Sequence, residues 1–239
     1  SSALSISNWT YTPGSLPGTG VANFPVGFAG ATKLALNGGA AINGSALQLT
    51  HGTQFESASV FYIPKTLPNN GFNSDFDFDL GKGEGDGFTF TLQNNHISSV
   101  GGTGDGLGYS GIPNSAAIKF DLHSNAGEGT NSAGVYINGA LPTVPSVDIT
   151  PSGVNLHSGH TFHAHIQYRA DTPSAINLTI TDLTVYKVFE ATFTPDIHGI
   201  PSLYQGFVGF TAGTGETPSS IKILNWTYVR LLYTSPSPR

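Results

Sequence analysis

Cysteine and methionine are both absent from the 239 residues. Without a thiol there is no disulfide, no redox couple and no cysteine nucleophile, and the compartment is left open. Charge is scarce as well, at 10% Asp, Glu, Lys and Arg, which excludes coiled coils and charged amphipathic helices. Lys and Arg number 9 against 15 Asp and Glu, a formal net charge of -6. With no basic run, nucleic acid and anionic membranes are excluded as partners. No apolar run approaches the ~18 residues of a bilayer span, so no membrane insertion is expected. The chain begins at Ser1 without methionine, as a fragment would, so the lack of a secretory leader excludes nothing.

Glycine (31) and proline (15) are plentiful and interrupt nearly every stretch, leaving no room for long helices. Between these breakers lie short runs rich in Phe, Ile, Val, Thr and Tyr. They fall at Ala46–Leu49, Val60–Ile63, Phe72–Leu80, Gly87–Leu92, Ala116–Leu122, Val135–Ile137, Phe162–Tyr168, Ile176–Val185, Tyr186–Phe193, Phe207–Phe210 and Ile221–Val229. That rhythm predicts an all-β protein. With 15 Phe and 9 Tyr, two packed antiparallel sheets around an aromatic core are expected rather than a small barrel.

The two ends echo each other. Residues 2–11 and 219–228 share Ser2/Ser219, Ile6/Ile223, Asn8/Asn225, Trp9/Trp226, Thr10/Thr227 and Tyr11/Tyr228. Residues 1–12 are therefore expected to be the last strand of a preceding copy of the same domain, with 13–20 (PGSLPGTG) as linker. One complete copy would then span 21–230, with neighbouring domains of the parent chain on either side. The final residues, 231–239, resemble a translated sequencing-adaptor read-through, with a disordered Pro-Ser tail as the alternative, and no part of the fold is expected from them.

Three segments carry chemistry: Gly85-Asp86-Gly87-Phe88-Thr89-Phe90; Gly101 to Tyr109, with Gly104-Asp105-Gly106 at its centre; and Ile118 to Asn125, followed by Glu128. The spaced glycines could suggest a nucleotide loop, but no helix follows and no βαβ unit surrounds them. In Asp121-x-His123-x-Asn125-x-x-Glu128, alternation places Asp121, His123 and Asn125 on one face where a strand enters a loop. Two carboxylates, an amide and a carbonyl are hard oxygen donors suited to calcium, although such clusters also form plain solvated turns.

In this order the segments resemble the L-type (legume-like) lectin domain in a bacterial version, from about Phe24 to Tyr228. The loop Val208-Gly209-Phe210-Thr211-Ala212-Gly213-Thr214-Gly215 and the closing Trp226 strand belong to the match. The resemblance implies a concanavalin A-like jelly-roll sandwich, with a sugar site in loops above the front sheet. It also implies reversible carbohydrate binding without cleavage, so no catalytic residues. Asp86 matches the sugar-binding aspartate, and Asn125 the asparagine that contacts both sugar and calcium. A backbone N–H within Gly104, Asp105 and Gly106 matches the second loop, and the stretch from Gly213, Thr214, Gly215 and Glu216 to Thr217 matches the variable loop that tunes the sugar. Asp121, the carbonyl of His123, Asn125 and Glu128 match the calcium ligands. The family's cis peptide before the aspartate would fall at Gly85–Asp86.

Lys119 and Ser132 stand where the family places transition-metal ligands, so calcium alone is expected and the manganese-type site is lost. His123 replaces the usual stacking ring, leaving Tyr109 or another loop residue for that role. Asp75, Asp77 and Asp79 share one strand face, as a glycoside hydrolase on a related sandwich would need, but Phe76 and Phe78 claim the core and the aspartates read as the wet face. His157, His160, His163 and His165 have no acidic or thiol partner nearby in sequence and read as surface histidines. The Asn-x-Ser/Thr sites at Asn8, Asn43, Asn177 and Asn225 read as incidental. The expectation is an extracellular or cell-surface, calcium-dependent, glycan-binding module, with a structural spacer sandwich as its alternative.

Overall fold

The computed structural model describes residues 22–65, 71–82, 85–170, 174–197 and 205–231. The proposed tail strand (1–12), the linker (13–20) and nearly all of the terminal segment lie outside these residues. In chain order the strands are β1 (Ala22–Phe24), β2 (Leu34–Gly38), β3 (Ala41–Asn43), β4 (Ala46–Gln48), β5 (Ser57–Tyr62), β6 (Gly71–Asp79), β7 (Gly87–Gln93) and β8 (Ser115–Asp121). They continue as β9 (Ser132–Ile137), β10 (Val147–Asp148), β11 (Thr161–Arg169), β12 (Ala175–Asp182), β13 (Val188–Phe193), β14 (Phe207–Gly213) and β15 (Lys222–Arg230). Among the described residues there is no α-helix, only three short 3-10 turns.

The strands form two antiparallel sheets. The back sheet runs β13-β12-β11-β6-β15-β4-β3, with β1 also on β15; the front sheet runs β10-β9-β8-β7-β14-β5-β2. Both are the expected jelly-roll sandwich. Strand alternation decides the back sheet: Phe72, Phe76 and Phe78 of β6 are fully buried, while Asp75, Asp77 and Asp79 take the outer face. Phe76 meets Phe90 of the front sheet at 5.9 Å, and Phe88 stacks on Phe120 at 4.5 Å. Trp226 is completely buried, and its indole N–H donates to Ser74 Oγ at 3.0 Å.

At its centre the front sheet is buried on both faces, and every residue of β7 and β8 is buried, while the edge strands β2 and β10 are partly exposed. One face, with Phe88, Phe90, Ile118 and Phe120, fills the sandwich. The other carries Thr89, Thr91, Thr211 and Lys119, roofed by a loop layer. Ser57, Ser59 and Thr211 hold that layer by donating to the carbonyls of Gly101 (2.7 Å), Ser99 (2.7 Å) and Leu107 (2.8 Å). Buried hydroxyls thus satisfy backbone groups that a roofing loop takes out of water.

Two expectations change here. The reading of strand through Val185 and again from Tyr186 gives way to a turn, because Asp182 Oδ1 accepts from the N–H of Thr184 (2.8 Å) and Val185 (3.1 Å). Strands β1, β2, β3 and β10 escaped notice, since runs of two to five residues rich in Ala, Asn and Gly carry little alternation.

Candidate functional site

The sugar-site residues expected from the sequence converge above the end of the front sheet. Asp86 immediately precedes β7, and two main-chain bonds fix it: Leu122 N–H donates to its carbonyl (2.7 Å) and Gly215 N–H to Oδ2 (2.5 Å). A Cβ at Gly215 would stand 3.1 Å from Asp86 Oδ2, so the bare glycine permits this approach. The peptide Gly85–Asp86, where the resemblance would place the family's cis bond, is trans; the cis peptide among the described residues is Val144–Pro145.

A pocket of about 330 Å³ opens beside Asp86, lined by Phe55, Gly104, Asp105, His123, Asn125, Gly215, Glu216 and Thr217. Gly106, Gly213 and Thr214 are not in its lining. Gly106 and Gly213 are buried in the loop layer and the end of β14, while Thr214 Oγ1 donates to Thr53 O and accepts from Glu56 N–H. Within the second loop, Gly104 N–H is engaged by Thr214 O and Gly106 N–H by Thr103 O, and among the described residues the Asp105 amide makes no main-chain bond. Burial raises the Asp86 carboxyl above its ordinary range, against the pull of Gly215 N–H and the nearby His123.

Tyr109 is 0% exposed and cannot stack on a ligand. Its hydroxyl instead accepts from Gly139 N–H (3.1 Å) and Ser115 Oγ (3.0 Å), pinning the loop layer beside Tyr136. The aromatic residue actually at the pocket is Phe55, which the sequence reading missed. No motif marks it; it follows a polar turn, His51-Gly-Thr-Gln, and lies in none of the expected strand runs.

Beneath the loop of Asn125 lies a buried charge cluster. Lys119, with 0% of its side chain exposed, donates to Asp121 Oδ2 (2.8 Å) and Thr143 O (2.8 Å) and sits 3.8 Å from Glu128 Oε1. Burial pushes Asp121 up to about 6, against the attraction of Lys119. Glu128 Oε2 accepts from Ala126 N–H at 2.5 Å, while its Oε1 is buried without a hydrogen-bond partner. This buried Glu128 oxygen, Asp121, the Asn125 amide and the His123 carbonyl are hard oxygen donors of the class a calcium ion takes, and Asp121 already accepts from Lys119 at Oδ2 and from His123 N–H at Oδ1 (3.1 Å). The Lys119 ammonium lies between the two carboxylates and supplies one positive charge there. Among the described residues no three His, Cys, Asp or Glu side chains converge as a metal cluster.

The other constellations lie elsewhere. Asp75, Asp77 and Asp79 are on the outer face of the back sheet, and none lines the pocket. The histidines, without an acidic partner nearby in sequence, find one across the strands: His163 Nδ1 lies 2.7 Å from Asp77 Oδ1 and His165 Nδ1 2.7 Å from Asp75 Oδ1. His160 likewise pairs with Asp182 at 2.8 Å.

A sequence model of the legume lectin domain matches residues 23–236. Favin from Vicia faba is 28% identical over 137 residues, or 57% of this chain and 56% of favin, so the match spans little more than half of that relative. Among solved structures, lectin I-B4 of Griffonia simplicifolia in its metal-free form superposes with TM-score 0.75 at 20% identity, covering 88% of this chain and 99% of that one. Basic winged bean lectin with Tn-antigen gives 0.75 at 19% identity, over 87% and 96%. At these identities the structures establish a shared fold.

Proposed function

The chain belongs to the legume lectin domain family, and on that premise we propose that the pocket around Asp86 binds carbohydrate without cleaving it. The observation that carries this reading is the aspartate itself. Gly215 N–H engages one of its oxygens, and a carboxylate has room for further donors, so a pair of sugar hydroxyls can be received there. Asn125 supplies an amide donor and Asp105 a backbone N–H from the facing loops. Asp86, Asp105 and Glu216 make the pocket acidic, which favours uncharged sugars over uronates.

Calcium belongs to the same reading. Asp121, the carbonyl of His123, Asn125 and Glu128 would hold one ion, which when bound supplies the charge that orders the 121–128 loop. Lys119 neutralises one of the two carboxylates, leaving the remaining charge to calcium. The parent is proposed to be a secreted or cell-surface, bacterial protein with the module in tandem, a reading supported by the echo between residues 2–11 and 219–228.

Titration calorimetry on glycans selected from an array, with and without EDTA, tests this. Asp86→Asn is expected to lower affinity by about 10- to 100-fold, since each hydrogen bond to a charged group contributes ~1.5–3 kcal/mol. Chelation is expected to weaken binding in the wild type. Unchanged affinity in Asp86→Asn would remove the site, and release of reducing ends from the bound glycan would replace binding with hydrolysis.

A further inference from the structure

Phe55 combines three properties that a residue with a purely structural role does not need together. It is 60% exposed, it lines the Asp86 pocket, and its backbone lies in the left-handed region at φ 56°. Bulky residues rarely adopt that conformation, and where they do the surroundings over-determine it. Here the surroundings are visible. Phe55 N–H donates to Gly215 O (3.1 Å), the same peptide residue whose N–H holds Asp86. The Glu56 carboxylate accepts from His51 N–H (2.8 Å) and Thr53 N–H (3.0 Å), closing the turn before it. Gln54 Nε2 donates to Glu216 O (2.6 Å), and Thr214 N–H donates to Glu56 O (3.0 Å). The turn is thus fastened to the 213–217 loop, and Gly215 couples the phenyl-bearing residue directly to the carboxylate.

Resting on the carbohydrate reading above, we infer that Phe55 is the stacking platform of the site and selects neutral pyranosides that present an unbroken C–H face. A pyranose is amphipathic: hydroxyls at its edge suit Asp86, Asn125 and the Asp105 N–H, while a run of ring C–H bonds suits a phenyl face. Phe55 brings the large apolar surface to an otherwise polar and acidic pocket. His123 lines the same pocket with a smaller, more polar ring. The strain is maintained for this purpose: holding the ring in place before binding removes the ordering cost at the moment of binding.

The test uses the methyl pyranosides of galactose, mannose, glucose and fucose as probes, with calorimetry for affinity, proton NMR for ligand shifts and thermal melts for stability. The wild type is expected to bind at least one probe with upfield-shifted ring protons, the signature of a stacked ring. Phe55→Gly is expected to weaken that probe by tenfold or more while the melting temperature holds or rises, because glycine adopts the left-handed backbone without strain. Phe55→Leu, apolar but not flat, should lose both affinity and the upfield shifts, whereas Phe55→Trp should keep both. Affinity within twofold of wild type in Phe55→Gly or Phe55→Leu would overturn the platform. If Asp86→Asn also binds normally, or no probe binds, the carbohydrate reading fails with it; if Asp86→Asn alone loses binding, only the inference about Phe55 falls.

Discussion

At Lys119 one residue decides how the neighbouring loops are held. An ammonium buried to 0% exposure is costly unless paired, and here it has Asp121 and Thr143 O at 2.8 Å, with the Tyr136 ring centroid 5.6 Å away. Removing it leaves two buried carboxylates, Asp121 and Glu128, without a compensating charge. Breaking a buried pair from one side costs ~3–5 kcal/mol. For a chain of this size that corresponds to a fall in Tm of roughly 10 °C in Lys119→Met, measured by calorimetry or circular dichroism. Calcium should restore more stability to Lys119→Met than it adds to the wild type, because a divalent ion can supply the missing charge. An unchanged melting temperature would show that the cluster contributes nothing to folding.

Strands β6 and β11 build a polar ladder on the outer face of the back sheet. The register sets His163 opposite Asp77 and His165 opposite Asp75, while Asn225 Nδ2 of β15 donates to Asp77 Oδ2 at 2.6 Å. His163 also reaches Asp75 Oδ1 through Nε2 at 3.5 Å, so its ring bridges two carboxylates, with Thr181 of β12 on its other side. Hydrogen bonds to Asp75 and then Asp77 raise its pKa to about 9, against burial. The raised value means that its stabilisation is complete below the ordinary histidine pKa, ~6.5, and is lost as pH rises through about 9. His163→Gln should therefore melt well below wild type at pH 6, and the gap should close by pH 10. A gap independent of pH would mean that the imidazolium charge is not what the ladder uses.

Across the whole molecule, the site depends on a third layer laid over a sandwich that is complete without it. Both edges of β15 are occupied within residues 22–230: β6 pairs along one edge, and β1 and β4 share the other. Nothing in this domain's sheet needs a further strand beside Trp226. Deleting residues 1–20 should leave the melting temperature and glycan affinity at their wild-type values, as expected of a tail belonging to a neighbouring copy. A loss of several degrees would assign Trp9 and Tyr11 to this domain's own stability. The loop layer is different: beyond its own main-chain bonds, the hydroxyls of Ser57, Ser59 and Thr211 fasten it to the front sheet.

What the sequence determined by itself is local. Period-2 alternation put Phe76 and Phe78 inside and Asp75, Asp77 and Asp79 outside, because successive side chains of a strand must face opposite ways. Glycine-flanked Asp86 and the Asp121-to-Glu128 run were legible because turn chemistry and oxygen donors cluster within a few residues. Tertiary structure decided the rest, for the reason that sheet pairing joins residues far apart in the chain. It supplied His163 and His165 with aspartates from another strand. It buried Tyr109 under the loop layer and left Phe55 at the pocket, reversing which ring is free to stack. It also placed Lys119 between two carboxylates, turning a substitution that reads as the loss of a ligand into a buried positive charge. Each of these depends on register and loop closure, which no single segment encodes.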